Sequence, residues 1–261
     1  MASRNILYTI ALTVGLIGVS QAQAQSISNG GFEQGSAVSP FSTYGVGGDI
    51  PGWYVYFGNV DQVRFWQSAK GSMSLDMKGN AGQAGIVQTV NGLVKNTLYA
   101  VSFALSANPG YAIGGSPYAT TSSPDRFRHL RVDVNGANGD IYNPGASYGN
   151  QTFSVDTVGK THENMGWQDQ TFYFNYTGNT GGSAYLYFRS LATDTPTADF
   201  NQTAQGIMTS SSGAALDDVR IQAVPVPVAG AGLPMLAGLL GYAAWRRRRP
   251  QQGAPESALA A

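Results

Sequence analysis

Two histidines, His129 and His162, are the only side chains of this 261-residue chain that could exchange a proton near neutral pH at an ordinary pKa. Neither stands in an H-E-x-x-H or H-x-H metal pattern, and no G-x-S-x-G nucleophile elbow occurs. Cysteine is absent, which removes thiol nucleophiles, thiolate metal sites and disulfides together. Carboxylates remain. Glycoside hydrolysis needs two of them roughly 5 to 10 Å apart, a separation that belongs to the fold. The expectation is a chain with no catalytic residues that is not an enzyme.

Aromatic side chains say more. The run Trp53-Tyr54-Val55-Tyr56-Phe57, the pair Phe65-Trp66, and Trp167 supply flat rings. Sugars stack their C–H faces on such rings, while their hydroxyls bond to Asn, Gln, Asp and Arg at the rim. Large aromatics also fill cores. Trp53 and Trp167 are read as core residues. Trp66, beside Arg64 and Gln67, is read as ligand-binding with Arg64, and so are the loop tyrosines Tyr111, Tyr118 and Tyr148. The expected ligand is a polysaccharide.

Charge bears on the partner. Basic and acidic residues balance at fifteen each. Setting aside Arg4, Arg246 to Arg249 and Glu256 leaves ten basic and fourteen acidic residues, a net charge of −4. Nucleic acid is not an expected partner, because phosphate binding needs clustered Lys and Arg.

The positioning elements read as strands. Tyr99, Val101, Phe103 and Leu105 share one face. Leu130, Val132 and Val134 face in while Arg131 and Asp133 face out. Phe172, Phe174 and Tyr176 oppose Tyr173 and Asn175, and Leu186 and Phe188 oppose Tyr185, Tyr187 and Arg189. Period-two alternation with one apolar side marks antiparallel sheets packed on a core. Many such strands with turn signals between them predict an all-β fold, an antiparallel β-sandwich or jelly roll. Asn108 to Phe127, Gly136 to Asn150 and Thr193 to Gly213 read as loops. One domain is expected over residues 25–223.

Both ends of the chain read as addresses. Residues 1–24 form a signal peptide: Arg4, an apolar core from Ile6 to Val19, and the small-x-small site Ala22-Gln23-Ala24. At the other end, Val224-Pro225-Val226-Pro227 precedes an uncharged run over residues 228–245. Four arginines, Arg246, Arg247, Arg248 and Arg249, then lead to a short tail at 250–261. As a helix, the run would span ~27 Å, close to a bilayer's hydrocarbon core. The arginines would stay cytoplasmic. The pattern resembles the PEP-CTERM sorting signal in a V-P-x-P variant, with Val226 where the best-known form has glutamate. The resemblance implies an exosortase-type processing enzyme as partner. It also implies passage through the inner membrane as a single transmembrane helix with the domain outside the cytoplasm. The destination would be the cell surface or extracellular matrix.

Between these ends, Asn29-Gly30-Gly31-Phe32-Glu33, then Pro51-Gly52-Trp53, then Leu216-Asp217-Asp218-Val219 resemble choice-of-anchor C proteins. They are also similar to plant cell-wall proteins and carbohydrate-binding modules with a galactose-binding-like jelly roll. That resemblance implies adjacent first and last strands and a structural calcium ion near them. In the last strand, Asp217 falls with Val219 and Ile221. A carboxylate facing a core needs a partner, and calcium prefers such oxygens. Glu33 and Asp217 are therefore the expected metal ligands, the alternative being backbone N–H bonds to Asp217 with Glu33 in solvent. The whole reads as an exported, non-catalytic carbohydrate-binding protein. Alternatives are a structural biofilm or matrix protein without a glycan ligand and, further off, a glycan-active hydrolase.

Overall fold

Alternating apolar and polar residues close into twelve strands in the computed structural model, which describes residues 25–35, 40–79, 82–110, 127–191 and 212–225. The chain divides into Met1–Val224 and Pro225–Ala261, and every strand lies in the first unit. In chain order the strands are β1 (Phe41–Gly45), β2 (Asp49–Ile50), β3 (Trp53–Phe57), β4 (Asn59–Val63), β5 (Ser74–Asp76) and β6 (Gly85–Leu93). There follow β7 (Thr97–Ala107), β8 (Phe127–Gly136), β9 (Ser147–Asp156), β10 (Gln168–Tyr176), β11 (Gly182–Leu191) and β12 (Ala214–Ala223). They form two six-stranded sheets, β1-β4-β5-β12-β7-β10 and β2-β3-β6-β11-β8-β9, with all pairings antiparallel. The domain is an all-β, two-sheet sandwich, as the alternation predicts.

The inward faces are those read from the sequence. Tyr99, Val101, Phe103 and Leu105 meet Leu130, Val132, Val134, Leu186 and Phe188 in one core, with Phe172, Phe174 and Tyr176 at its side. Trp53 lies at its heart, 5.7 Å from the Phe32 ring and 5.8 Å from Phe188. The Pro51-Gly52 pair before it is the two-residue turn of the β2–β3 hairpin. Gly52 takes a φ of +88° there, which suits the third position of a type II turn after proline.

Three expectations are corrected. Gly136 ends β8, and Ser147 to Asn150 begin β9, so only the middle of the expected 136–150 loop is irregular. Glu33 is not on a first strand; it follows a turn in which Asn29 and Phe32 both have positive φ. Asp217 does not share a face with Val219 and Ile221. A bulge between Asp217 and Arg220, with Asp218 at φ +50°, breaks the alternation. Leu216 and Val219 both enter the core, and Asp217 pairs in register with Ala104, outside the main core cluster. The expected adjacency of chain ends holds in another form, as Val219 N donates to Gly30 O at 2.8 Å.

Among the described residues, no helix is long and apolar enough to cross a membrane. Residues 1–24, expected to be a signal peptide, the 228–245 segment and Arg246 to Arg249 lie outside the described residues, as do Val226 and Pro227.

Candidate functional site

The outer face of the second sheet gathers side chains that the sequence scatters over five strands. Register places Tyr54, Val87, Tyr187, Asp133 and Asn150 side by side on β3, β6, β11, β8 and β9. The neighbouring row reads Phe57, Gly85, Arg189, Arg131 and Thr152. At ~4.8 Å between strands, each row is about 19 Å long.

The aromatic half of this face depends on a bulge. Between Val55 and Phe57 the pairing of β3 with β6 slips, which lets Tyr56 and Phe57 lie on one side although they are consecutive. Their rings pack edge to face at 4.9 Å, and Tyr56 meets Tyr187 the same way at 5.3 Å. Tyr185 continues the stripe 6.1 Å from Tyr187. Gly85 lies under this cluster: a Cβ there would sit 2.3 Å from Phe57 Cε1 and 2.5 Å from Tyr56 Cε1. Three tyrosine hydroxyls then hold the 137–146 segment over one end of the face. Tyr185 donates to Gly139 O at 3.0 Å, Tyr187 to Ile141 O at 3.0 Å, and the Tyr54 and Tyr142 hydroxyls meet at 3.3 Å. Between them opens a cavity of about 350 Å³ lined by Ile50, Tyr54, Val87, Thr89 and Ile141, among others.

The polar half is buried. Arg131 Nε donates to both oxygens of Asp133, at 2.8 and 3.1 Å, and Arg189 Nε approaches the same carboxylate at 3.4 Å. Tyr56 and Asn135 flank this group, and each is only 2% exposed. Tyr56 Oη and Asn135 Nδ2 have no hydrogen-bond partner among the described residues. Burial holds the Tyr56 phenol well above its ordinary pKa, with Arg189 pulling the other way. Burial also raises that of Tyr187, assisted by Tyr185, Asp133 and Asp140. Both phenols stay protonated, and so remain donors, at any physiological pH. An uncompensated buried polar atom costs on the order of 1–3 kcal/mol.

The residues singled out from sequence lie elsewhere. Trp66 is buried on the outside of the first sheet with Val63, Met165 and Ala215, its Nε1 donating to Ser74 Oγ at 2.5 Å. Its ring has no face left for a sugar, because His162, Phe65 and Trp167 close over it. Arg64 turns its Nη2 to Met73 Sδ at 3.8 Å. Tyr148 packs edge to face on Tyr176 at 4.9 Å. Tyr111 and Tyr118 lie outside the described residues. Trp53 is in the core as read, its Nε1 donating to Asn29 O at 3.2 Å. Of the residues that form the face, Arg131, Asp133, Tyr185, Tyr187 and Arg189 were visible as the outward half of an alternation. What the sequence withheld was that these halves stand next to one another.

Glu33 and Asp217 do converge, on the 69–73 loop. Asp217 Oδ2 accepts from Ala69 N and Lys70 N at 2.9 and 3.0 Å, and Oδ1 from Asp218 N at 2.6 Å. Glu33 Oε1 accepts from Ser72 N and Met73 N, each at 2.8 Å, and Oε2 from the Ser72 hydroxyl at 2.8 Å. Calcium takes six to eight oxygens at about 2.3–2.6 Å, whereas all four carboxylate oxygens here face N–H or O–H donors. This arrangement fits a carboxylate pair held by amides and does not fit a calcium ion. Among the described residues, no group of three or more His, Asp or Glu could hold a metal.

Burial, helped by Glu33, pushes the Asp217 carboxyl up to about 7. Asp76, which accepts from Lys78 N and Gly213 N at 3.0 and 2.9 Å and from Asn108, is pushed to about 8, again chiefly by burial. A carboxyl whose folded pKa lies above its unfolded value stabilises the fold while it holds its proton. That contribution is whole below the ordinary value of 3.8 and is lost as pH rises through about 7 for Asp217 and 8 for Asp76. The melting temperature should therefore fall as pH rises from about 4 to about 8, and Asp76→Asn should flatten the fall. Calcium or a chelator should leave the melting temperature unchanged. A calcium-dependent rise would place a cation at Glu33 and Asp217 after all.

Strand order and pairing define a class: an all-β, two-sheet antiparallel β-sandwich. Residues 25–198 match the family described as "Protein of unknown function (DUF642)", and the chain belongs to that family. Among solved structures it is similar to TmCBM61 in complex with β-1,4-galactotriose, at 14% identity over 75% of this chain and 96% of that one (TM-score 0.37). It is likewise similar to CBM35 from Paenibacillus barcinonensis, at 14% identity over 70% and 99% (TM-score 0.36). A third is the N-terminal cellulose-binding domain of Cellulomonas fimi β-1,4-glucanase C, at 11% identity over 77% and 98% (TM-score 0.34). No curated protein matches the chain.

Proposed function

We propose that this domain binds polysaccharide without catalysis, on the outer face of its second sheet. The observation that carries the reading is the half-buried rings of Tyr54, Phe57 and Tyr185, braced from within by the buried Tyr56 and Tyr187, beside the 350 Å³ cavity. Binding sites combine apolar walls with a few convergent polar atoms in this way. Chemistry on a glycosidic bond would need a free carboxylate pair. The two acids placed here are engaged, Asp133 with arginines and Asp140 with the N–H groups of Tyr142 and Asn143 at 2.8 and 2.7 Å.

The reading includes an address. Export by residues 1–24 and sorting through Val224 to Arg249 by an exosortase-type enzyme would bring the domain to the cell surface or matrix. The test is a glycan array on the purified protein, followed by titration of each hit. Tyr54 lines the cavity, so Tyr54→Ala should weaken binding about ten-fold or more, since interface tyrosines are frequent hot spots. Mass measurement of the exported chain reports whether the tail has been removed. An array without a single glycan hit would favour the structural matrix role instead.

A further inference from the structure

We infer that the outer face of the first sheet is a second, weaker glycan site for a neutral sugar, so that one domain holds two polysaccharide chains on opposite faces. The inference rests on the glycan-binding reading above and adds a site to it. A hollow of about 500 Å³ opens on this face, lined by Lys70, Ser102, Asp169, Thr171, Asp218 and Arg220, among others. Strand register explains the hollow. β7 runs between β12 and β10, and Ser102 stands in register with Arg220 on one side and Thr171 on the other. The next rows are Gln222, Ala100 and Tyr173, and Asp217, Ala104 and Asp169. Tyr99, Val101, Phe103 and Leu105 of β7 turn inward. The strand therefore offers this part of the face only Ala100, Ser102 and Ala104, while longer side chains rise on both flanks. The bulge in β12 builds one wall: it sets Asp218 beside Arg220, whose Nε donates to Asp218 Oδ1 at 3.0 Å. Bulges re-aim side chains in this way next to functional sites.

The lining selects the class of ligand. Lys70 and Arg220 are balanced by Asp169 and Asp218, so a charged polymer meets no net attraction there. A sugar hydroxyl both gives and takes hydrogen bonds, and the hollow offers both kinds of partner. Arg220 turns Nε and Nη2 to Asp218, and the rest of its five N–H groups can donate to a ligand. Asp169 supplies an acceptor. The Ser102 and Thr171 hydroxyls, 3.5 Å apart, act in either role. A ring for stacking stands in the adjoining row: Tyr173, on the same face as Thr171, is 57% exposed, more than any other aromatic side chain among the described residues.

Exposure makes this the weaker site. The Lys70 and Arg220 side chains are 68% and 61% exposed, so their bonds to a sugar replace bonds to water with little net gain. The cavity beside Tyr54 has apolar walls from Ile50, Val87 and Ile141, and it sets the affinity that calorimetry reads for an oligosaccharide. The hollow on the first sheet acts when a polymer presents many sugar units together, because linked weak contacts gain from a high effective concentration. The two outer faces of a sandwich point away from each other, so the chains held there are different ones. The domain then cross-links polysaccharide.

The experiment follows the backbone amide NMR signals of the purified protein during titration with β-1,4-galactotetraose, cellotetraose and dextran sulfate. The expected result is two groups of shifted amides with a neutral tetrasaccharide. One lies around Tyr54 and Val87, and the other, saturating about ten-fold later or more, around Ser102, Thr171 and Arg220. Tyr54→Ala should remove the first group and spare the second. Tyr173→Ala and Arg220→Gln should weaken the second several-fold and spare the first. Both positions are exposed, so the melting temperature should stay near that of the parent. Light scattering of β-1,4-galactan should rise with the parent protein and with none of the three variants. Shifts confined to the Tyr54 group overturn the inference and keep the polysaccharide reading. A second group that vanishes in Tyr54→Ala also overturns it, since one site would then be felt through the sandwich. Shifts around Ser102 with dextran sulfate alone overturn the neutral class, and a second group untouched by both first-sheet variants overturns the placement. Absence of shifts on either face, with no hit on the array, would sink both readings.

Discussion

Gly85→Ala should abolish glycan binding and destabilise the domain by about 1–3 kcal/mol, the usual cost of forcing atoms into a filled site. In most strands the same change would help, since glycine in a strand interior forgoes roughly 0.5–1 kcal/mol relative to alanine. Here the sign is reversed by what lies above the position. The added Cβ would sit 2.3 and 2.5 Å from ring carbons of Phe57 and Tyr56. Neither ring can yield alone, because Tyr56 is packed edge to face against both Phe57 and Tyr187. Relief requires the whole cluster to turn, or the bulge in β3 to shift, and either change dismantles the binding face. Denaturant unfolding measures the first effect and titration calorimetry the second. Unaltered binding with unaltered stability would mean that the rings move freely and do not form a platform.

The larger loss of stability is expected at Trp53. Removing a buried large aromatic side chain costs about 3–5 kcal/mol, against a total of about 5–15 kcal/mol for a typical domain. Trp53→Ala should therefore shift the urea midpoint strongly and leave much of the protein unfolded at physiological temperature. Two mechanisms combine at this residue. The indole fills the space between Phe32 and Phe188. Its N–H also holds Asn29 O, which anchors the N-terminal turn against the sandwich. Trp53→Phe separates them, since it retains most of the volume and loses only the hydrogen bond. It should cost about 0.5–1.5 kcal/mol for that bond, plus a cavity contribution. Equal losses for Phe and Ala would show that the anchor, rather than the packing, dominates.

These two positions mark how far the sequence could be read. Trp53 was assigned to the core from its size, and the inward halves of β7, β8, β10 and β11 from alternation, because side-chain period is a local property of a strand. Gly85 carried no such sign, since its reason lies in two rings from another strand. Asp217 was put on the wrong face by the same rule that succeeded elsewhere: one extra residue in the bulge at Asp218 exchanges the two sides. Trp66 was assigned to a ligand because polar neighbours in sequence suggested a rim. In space, Val63, Met165 and Ala215 surround it.

By itself the sequence determined that the chain would form antiparallel strands around one core, which faces would be apolar, and that cysteine chemistry was absent. All of these follow from residue type and spacing within a strand. The tertiary structure alone decided which outward faces meet. Strand order brings β3, β6, β11 and β8 together, and register aligns Tyr54 with Tyr187 and Asp133, so residues as far apart as positions 54 and 187 share one row. Pairing between distant strands depends on the packing of the whole sandwich, and no local pattern encodes it.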